Sequence, residues 1–435
     1  MAEPETSIAR GTLIALVCRA INVAAGVLVV LLVSRELGDA GFGTFVLGTT
    51  VVGVVAALTG GLTAAAGYQI NNQRRPAGEV LSSGGVVALA LGVAAVIGGL
   101  VLRESLAGNA RTIGLEAGLA AAAVLMNGVV TGILLGQGRM VRYNLALAAP
   151  ALFGLSAVVA VLYGLDERTP SAALGAFAAG QWLAFLPALL ATRTAPSFRA
   201  VNRPLIGIML RFSGFAALSS GISYLNYRAD IFVVRAWEGE AGVGVYNIAV
   251  QLAEAVWQIS GAVALAAIPR IAGSSQGLAA ELTTRIMRHT LVLLGLACIV
   301  VALLADVGVG LFWGDDFSGA ANALRILLPG TLVYGLAAGI SGYYTYQRGR
   351  PWLAGVISSS SLVIDIALAL VFVPRWGING AALATSISYV LAMGAAAAYF
   401  LHDTRTSPAA LFRFRRTDFD DYVAVLRRLK RGRPA

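Results

Sequence analysis

The stretch Ser34-Arg35-Glu36-Leu37-Gly38-Asp39-Ala40-Gly41-Phe42-Gly43-Thr44-Phe45 lies between two long apolar runs, and a second version of it follows about 200 residues later. That version reads Val234-Arg235-Ala236-Trp237-Glu238-Gly239-Glu240-Ala241-Gly242-Val243-Gly244-Val245-Tyr246. Gly41-x-Gly43-x-Phe45 matches Gly242-x-Gly244-x-Tyr246. A weaker echo pairs Ser171-Ala172-Ala173-Leu174 with Gly380-Ala381-Ala382-Leu383. Self-similarity at one fixed offset marks a chain written twice.

The apolar runs between and beyond these copies are long enough to cross a bilayer, which takes about 20 residues. They lie near 11–33, 42–66, 80–102, 113–136, 143–164, 170–191, 205–232, 243–267, 290–311, 325–346, 353–373 and 378–401. The first is too long for a signal peptide, carries Arg19 inside and lacks a small-residue cleavage site, so it reads as a span. Six spans separate the two copies. That number is even, so the halves run parallel about an axis along the membrane normal. The expected fold is an all-α integral membrane protein of about twelve transmembrane helices in two parallel-repeat six-helix lobes. The N-terminal lobe is 1–192, a cytoplasmic linker follows at 193–204, the C-terminal lobe is 205–402, and 403–435 is a basic tail.

Composition agrees. Of 435 residues, 58% are hydrophobic and only 12% are charged, against about 25% charged in a soluble domain. A net charge of +10 does not point to nucleic acid, because no soluble basic domain carries it. Of the 32 cations, 22 fall on the side holding both termini and 8 on the other, with Arg19 and Arg211 left inside spans. The positive-inside rule then places both termini in the cytoplasm. Cys18 and Cys298 lie inside apolar runs and form no disulfide or metal pattern. His289 and His402 have no partner at metal-ligand spacing. No nucleophile–base arrangement and no phosphate loop is present, which points to a transporter rather than an enzyme.

The sequence resembles the polysaccharide transporter family of the multidrug/oligosaccharidyl-lipid/polysaccharide flippase superfamily. The residues that carry this are Arg35-x-Leu37-Gly38 with Gly41-Phe42-Gly43, and Asp230 to Val234 with Ala241 to Ala249, ending at Pro269-Arg270-Ile271-Ala272. Val373-Pro374 followed by Ile378 to Ser386, Gly314-Asp315-Asp316-Phe317 and Leu327-Leu328-Pro329 also fit. The resemblance implies a flippase in the bacterial cytoplasmic (inner) membrane. Its cargo would be a polyprenyl-diphosphate-linked oligosaccharide for lipopolysaccharide or other cell-envelope polysaccharide biosynthesis, moved by alternating access. The expected partners are that lipid-linked oligosaccharide, membrane lipids and other polysaccharide-assembly proteins, with no nucleic acid. Two alternatives stay open: a cation-coupled exporter of small molecules from the same superfamily, and a membrane glycosyl polymerase or ligase. The polymerase fits less well, because every outer loop is short.

Arg19 sits about 13 Å below Arg10 along a helix, near mid-bilayer, where an arginine costs about 2.5–3.5 kcal/mol. Asn22 and Gly26 share its face. A guanidinium pairs with phosphate oxygens in bidentate fashion, so Arg19 suits a diphosphate; an interlobe salt bridge is the other reading. Arg211 is a weaker candidate, able to snorkel to the edge. Asn247, Gln251, Glu254 and Gln258 recur at helical spacing on one face. They suit sugar hydroxyls or hydrogen bonds between helices. Trp257, Tyr343 and Tyr344 are expected at the interface, or stacked on sugar.

Asp230 and Asp365 are buried acids that need a cation, a proton or a polar partner. Ser361 shares a face with Asp365, and Thr385 follows Ala381 by one turn. The sodium-binding members of the superfamily resemble this set, so Asp230, Ser361, Asp365, Ala381 and Thr385 form a candidate sodium site. Proton coupling is an alternative, as is pairing of Asp230 with Arg228 or Arg235.

Overall fold

The computed structural model describes residues 8–105, 113–350 and 352–412, and they are helical almost throughout. Three helices far exceed the length a bilayer needs: α1 (Ile8–Asn71), α6 (Arg203–Ala272) and α10 (Trp352–Asp403). Each is two arms joined at a single glycine. Gly38 has φ 67° and ψ −174°, Gly239 φ 66° and ψ −165°, and Gly377 φ 56° and ψ −137°. A Cβ makes such backbone values costly. Gly38 and Gly239 are equivalent positions of the repeat, so the duplication appears in backbone conformation as well as in residue type.

The remaining long helices are α2 (Ala77–Ser105), α3 (Gly114–Gly136), α4 (Met140–Val159), α5 (Pro170–Ala191), α7 (Gln276–Trp313) and α8 (Gly319–Tyr334). A π-turn extends α4 to Gly164. The short α9 (Ala337–Gly342) and a second π-turn carry the α8 segment to Gln347. The last described element is α11 (Ala409–Phe412). Three pairs of arms and six single segments stand at the twelve apolar runs. Among the described residues, eight helices are long and apolar enough to cross a membrane. Helices suit lipid because every backbone group is satisfied within the segment. Two boundaries differ from expectation. Helix α7 begins at Gln276 rather than near 290, because a polar helical extension precedes its apolar part. The run 325–346 breaks at Gly335–Leu336.

The chain forms two compact units, Met1–Asn247 with Gly310–Phe317, and Ile248–Val309 with Ser318–Ala435. In the first unit, the second arm of α1 packs on α3 and on the first arm of α6. Thr63 Oγ1 donates to Gly128 O at 2.9 Å, and Tyr68 stacks on Phe212 at 5.5 Å. A Cβ at Gly61 would lie 2.5 Å from Ser213 O. Small residues let backbones approach in this way, and such close packing is what joins helices in lipid. Leu62, Leu125, Ile133, Leu134 and Leu205 fill the apolar core beside them.

Loops of the first unit gather at two ends, as alternating spans require. At one end Arg139 donates to Ala191 O and Thr192 O at 3.0 and 2.9 Å, and Arg142 to Ala191 O at 3.0 Å. Cations here complement the negative end of the α5 dipole. The segment after α5 is tied to α2: Ser197 N–H donates to Ser82 Oγ at 2.9 Å and Asn202 N–H to Ser83 Oγ at 3.0 Å. Asn202 Nδ2 donates to Glu79, which also pairs with Arg75. At the other end Arg35 donates to Phe312 O and Leu311 O at 2.7 and 3.0 Å, and Glu36 pairs with Arg168 at 3.1 Å. Phe42 meets Phe317 edge-on.

The second unit repeats this separation of loops. Gln347 Nε2 donates to Ser274 O at 2.9 Å, and Arg348 lies 3.7 Å from Asp403. Elsewhere in the unit Arg325 pairs with Asp306, and Asn322 with Asn379. Pro329 interrupts α8, since proline has no N–H to donate. Beside it Ser386 Oγ accepts from Gly330 N–H at 3.1 Å and donates to Ile326 O at 2.5 Å. The hydroxyl thus lies between Gly330 N–H and Ile326 O, next to the proline that withholds a donor from the backbone ladder, a kind of support that side chains supply inside a membrane.

Candidate functional site

On the first arm of α1, Cys18 and Ala25 are buried while Arg19 is exposed and Asn22 half-buried. A Cβ at Gly26 would meet nothing. Arg19, Asn22 and Gly26 therefore form an open face, interrupted by no side chain at position 26. Arg211, on the first arm of α6, is exposed.

Asp230 is 3% exposed. The turn at Gly239 folds the second arm of α6 so that the Tyr246 hydroxyl donates to Asp230 Oδ2. The N–H of Ile231 donates to Oδ1 at 2.9 Å. Tyr246 is fully buried, so this aromatic of the repeat motif answers a buried carboxylate. Arg235 lies 3.6 Å from Glu240. Asn247 is buried as well, and its Nδ2 has no hydrogen-bond partner among the described residues.

In the second unit Gln251 and Glu254 are half-buried and Gln258 is exposed. Trp257 meets Tyr334 with ring centroids 5.6 Å apart, and Tyr334 stacks on Tyr389 at 4.2 Å. Tyr334 and Tyr389 carry no motif, so nothing in the residue pattern joins them to Trp257. Tyr343 and Tyr344 lie at the end of their segment, where the Tyr344 hydroxyl donates to Asp403 at 3.2 Å. Both are buried against Phe400, because the π-turn points them inward.

Ser361 and Asp365, one turn apart on the first arm of α10, are 0% and 1% exposed. Ser361 Oγ has no hydrogen-bond partner among the described residues. On the second arm Thr385 Oγ1 donates to Ala381 O at 3.1 Å, and both residues are buried. Asp230 belongs to the first unit.

Two further features fall outside these groups. Glu116 of α3 accepts from Ser171 of α5, and its other carboxylate oxygen is buried without a hydrogen bond among the described residues. A cavity of about 420 Å³ opens among α1, α2, α3 and α6, lined by Leu47, Val51, Gly98, Ala117 and Phe232, with Arg235 at its edge. Its apolar walls suit hydrocarbon and offer nothing to sugar hydroxyls.

These features define a multi-pass helical membrane protein with the fold of known transporters. A structure described as the lipid II flippase MurJ in an inward closed conformation superposes with TM-score 0.73, at 14% identity over 92% of this chain and 88% of that one. An inward-facing multidrug resistance transporter of the MATE family, in the MOP superfamily, gives 0.70 at 18% identity, covering 91% and 98%. A MOP superfamily transporter from Pyrococcus furiosus, described as having a binding pocket of reversed polarity, gives 0.60 at 19% identity, covering 94% and 96%. The chain belongs to the lipid II flippase MurJ family, whose model matches residues 121–418. It is also 23% identical over 201 residues to a probable low-salt glycan biosynthesis flippase, Agl15, of Haloferax volcanii. That match spans 45% of this chain and 41% of the relative's length.

Proposed function

We propose that this protein flips a polyprenyl-diphosphate-linked oligosaccharide across the bacterial cytoplasmic membrane for cell-envelope polysaccharide synthesis. The observation that carries the reading is the family match taken with the face of α1. Arg19 stands exposed on a span beside Asn22 and an open Gly26. A diphosphate cannot enter hydrocarbon unaided, and a guanidinium offers it paired donors. The glycan-flippase relative supports a glycan on the lipid. Arg211 supplies a second cation, and Asn247, Gln251, Glu254 and Gln258 supply groups for sugar hydroxyls. The two six-helix lobes, 1–192 and 205–402, alternate access around the cargo, with the linker and both termini in the cytoplasm. No catalytic step is required.

Coupling uses a small cation at Asp365 and the hydroxyls of α10. The fit rests on Ser361, whose buried hydroxyl lacks a protein partner, next to the buried Asp365. Hard cations take oxygen ligands, and Asp365, Ser361, Thr385 and the Ala381 carbonyl are oxygen donors within one unit. A bound cation supplies the charge that lets the carboxylate stay ionised away from water. The experiment is reconstitution of the purified chain into vesicles with a fluorescent polyprenyl-diphosphate oligosaccharide. Transbilayer movement supports the reading. Export of small amphipathic cations without movement of the lipid replaces it with the multidrug alternative.

A further inference from the structure

The segment between α5 and α6 holds a feature that cargo handling does not use. Phe198 is 97% exposed. It lies in a single 3-10 turn, Phe198–Ala200, and the segment around it is not loose. Ser197 and Asn202 donate their backbone N–H groups to Ser82 and Ser83 of α2, respectively, and Asn202 Oδ1 caps α6 by accepting from Leu205 N–H at 3.1 Å. A tethered chain therefore presents this ring outward by construction.

The tether also sets its depth. Ser82 and Ser83 lie roughly 8 Å along α2 from its start at Ala77. The segment is thus held against the second turn of a spanning helix rather than beyond its end. Leu183, Leu186 and Leu190 form an exposed apolar stripe down to the last turn of α5. Phe198, next to the Ser197 tether on α2, lies near the level where hydrocarbon gives way to headgroups. An apolar ring held there, beside cations, is the combination that inserts at the boundary between headgroups and acyl chains.

The charge around it is of one sign. Arg193, Arg199 and Arg203 are exposed, and none makes an ion pair among the described residues. No acidic residue occurs from 193 to 203. Arg203 is the first residue of α6, where the helix dipole is already positive, so it adds to a field that favours anions. We infer that residues 193–203 form a seat for anionic phospholipid, with Phe198 inserted among the acyl chains and the three arginines on headgroup phosphates. The occupant is a lipid rather than a soluble anion because the ring and the cations act together. The inference needs only the membrane setting, not the identity of the cargo.

The test places a nitroxide at Phe198→Cys, an apolar replacement, after Cys18→Ala and Cys298→Ala remove the two native thiols. The full chain is reconstituted in phosphatidylcholine vesicles, with or without phosphatidylglycerol in both leaflets, so the result is independent of orientation. With phosphatidylglycerol, relaxation by a water-soluble nickel chelate should fall several-fold at 198, while a label at Ala195→Cys stays in water. Arg199→Gln with Arg203→Gln should restore the aqueous signal. The intact chain should gain thermal stability from phosphatidylglycerol, and the double variant should not. Equal aqueous access at 198 in both lipids overturns the seat. So does insertion that ignores the arginine changes. Reproduction of the effect by inorganic phosphate in phosphatidylcholine alone overturns the lipid assignment.

Discussion

Gly43 and Gly244 pack backbone against backbone: a Cβ on Gly43 would lie 2.9 Å from Gly244 N, and one on Gly244 would lie 3.1 Å from Gly43 N. The contact is reciprocal. The Gly43 Cβ would also fall 1.7 Å from Glu240 O, and the Gly244 Cβ 2.2 Å from Asp39 O. Asp39 and Glu240 are themselves equivalent in the repeat. The second arms of α1 and α6 therefore meet as related copies, and each requires the other to lack a side chain.

Alanine at either position must push the two arms apart, because the obstructing atoms are backbone. Overpacking of this kind costs about 1–3 kcal/mol. Gly43→Ala and Gly244→Ala should each lower the melting temperature in detergent by several degrees, and the double variant by less than the sum, since one separation serves both. Gly26→Ala and Gly85→Ala, where a Cβ meets nothing, should be neutral. Full additivity at the pair would show that the two glycines are not in contact.

Arg19→Ala should abolish movement of the lipid-linked oligosaccharide while the protein still inserts at normal levels. Arg19→Lys should restore only part of it, because a point charge replaces a two-pronged donor. Vesicle transport with quantified protein checks both. Normal transport by Arg19→Ala removes the diphosphate role.

Sodium should raise the thermal stability of the purified chain relative to potassium at equal ionic strength. Asp365→Asn should remove that gain, and Ser361→Ala should reduce it. If all three proteins respond alike, α10 holds no such site. A response to pH in its place would favour the proton.

Ser386→Ala should cost about 1–3 kcal/mol, because Gly330 N–H and Ile326 O would both lose their buried partner. Ser386→Thr retains the hydroxyl and should cost less unless its methyl meets Gly330, whose Cβ position already lies 2.5 Å from Ser386 Cα. Thermal denaturation of the two variants decides.

Reporter fusions at 38, 166 and 320 should read outside, and those at 76, 200 and 433 inside. The contacts of Arg139 with Thr192 and of Ser82 with Ser197 already place the loops near 76, 138 and 195 together, so a fusion pattern that splits them would contradict the fold.

The spans were legible because lipid imposes a length and an apolarity that few soluble helices reach. The breaks at Gly38 and Gly239 were legible because both copies carry glycine there. What sequence reasoning missed are partners that residue type does not announce. Arg35 binds the carbonyls of Leu311 and Phe312, and a backbone carbonyl leaves no mark in the sequence. Tyr246 entered the reading only as a repeat position, and nothing in its motif announced that the α6 turn brings its hydroxyl to Asp230. The contacts of Tyr343 and Tyr344 with Phe400 were not legible, because a π-turn breaks the ordinary helical period. Ser82 and Ser83 look like ordinary small residues of a span, yet they hold the segment that carries Phe198. The basic tail beyond Phe412 lies outside the described residues.

The single-residue turns also bear on how the chain enters the bilayer. Helix α1 runs from Ile8 to Asn71, and if straight it would extend roughly 95 Å, about three bilayer cores. Gly38 alone lets it leave the ribosome as two strokes of a hairpin. Gly239 and Gly377 do the same for α6 and α10. A side chain at any of these points burdens the insertion machinery before any tertiary contact exists, so yield in the membrane should fall even where the folded protein tolerates the strain.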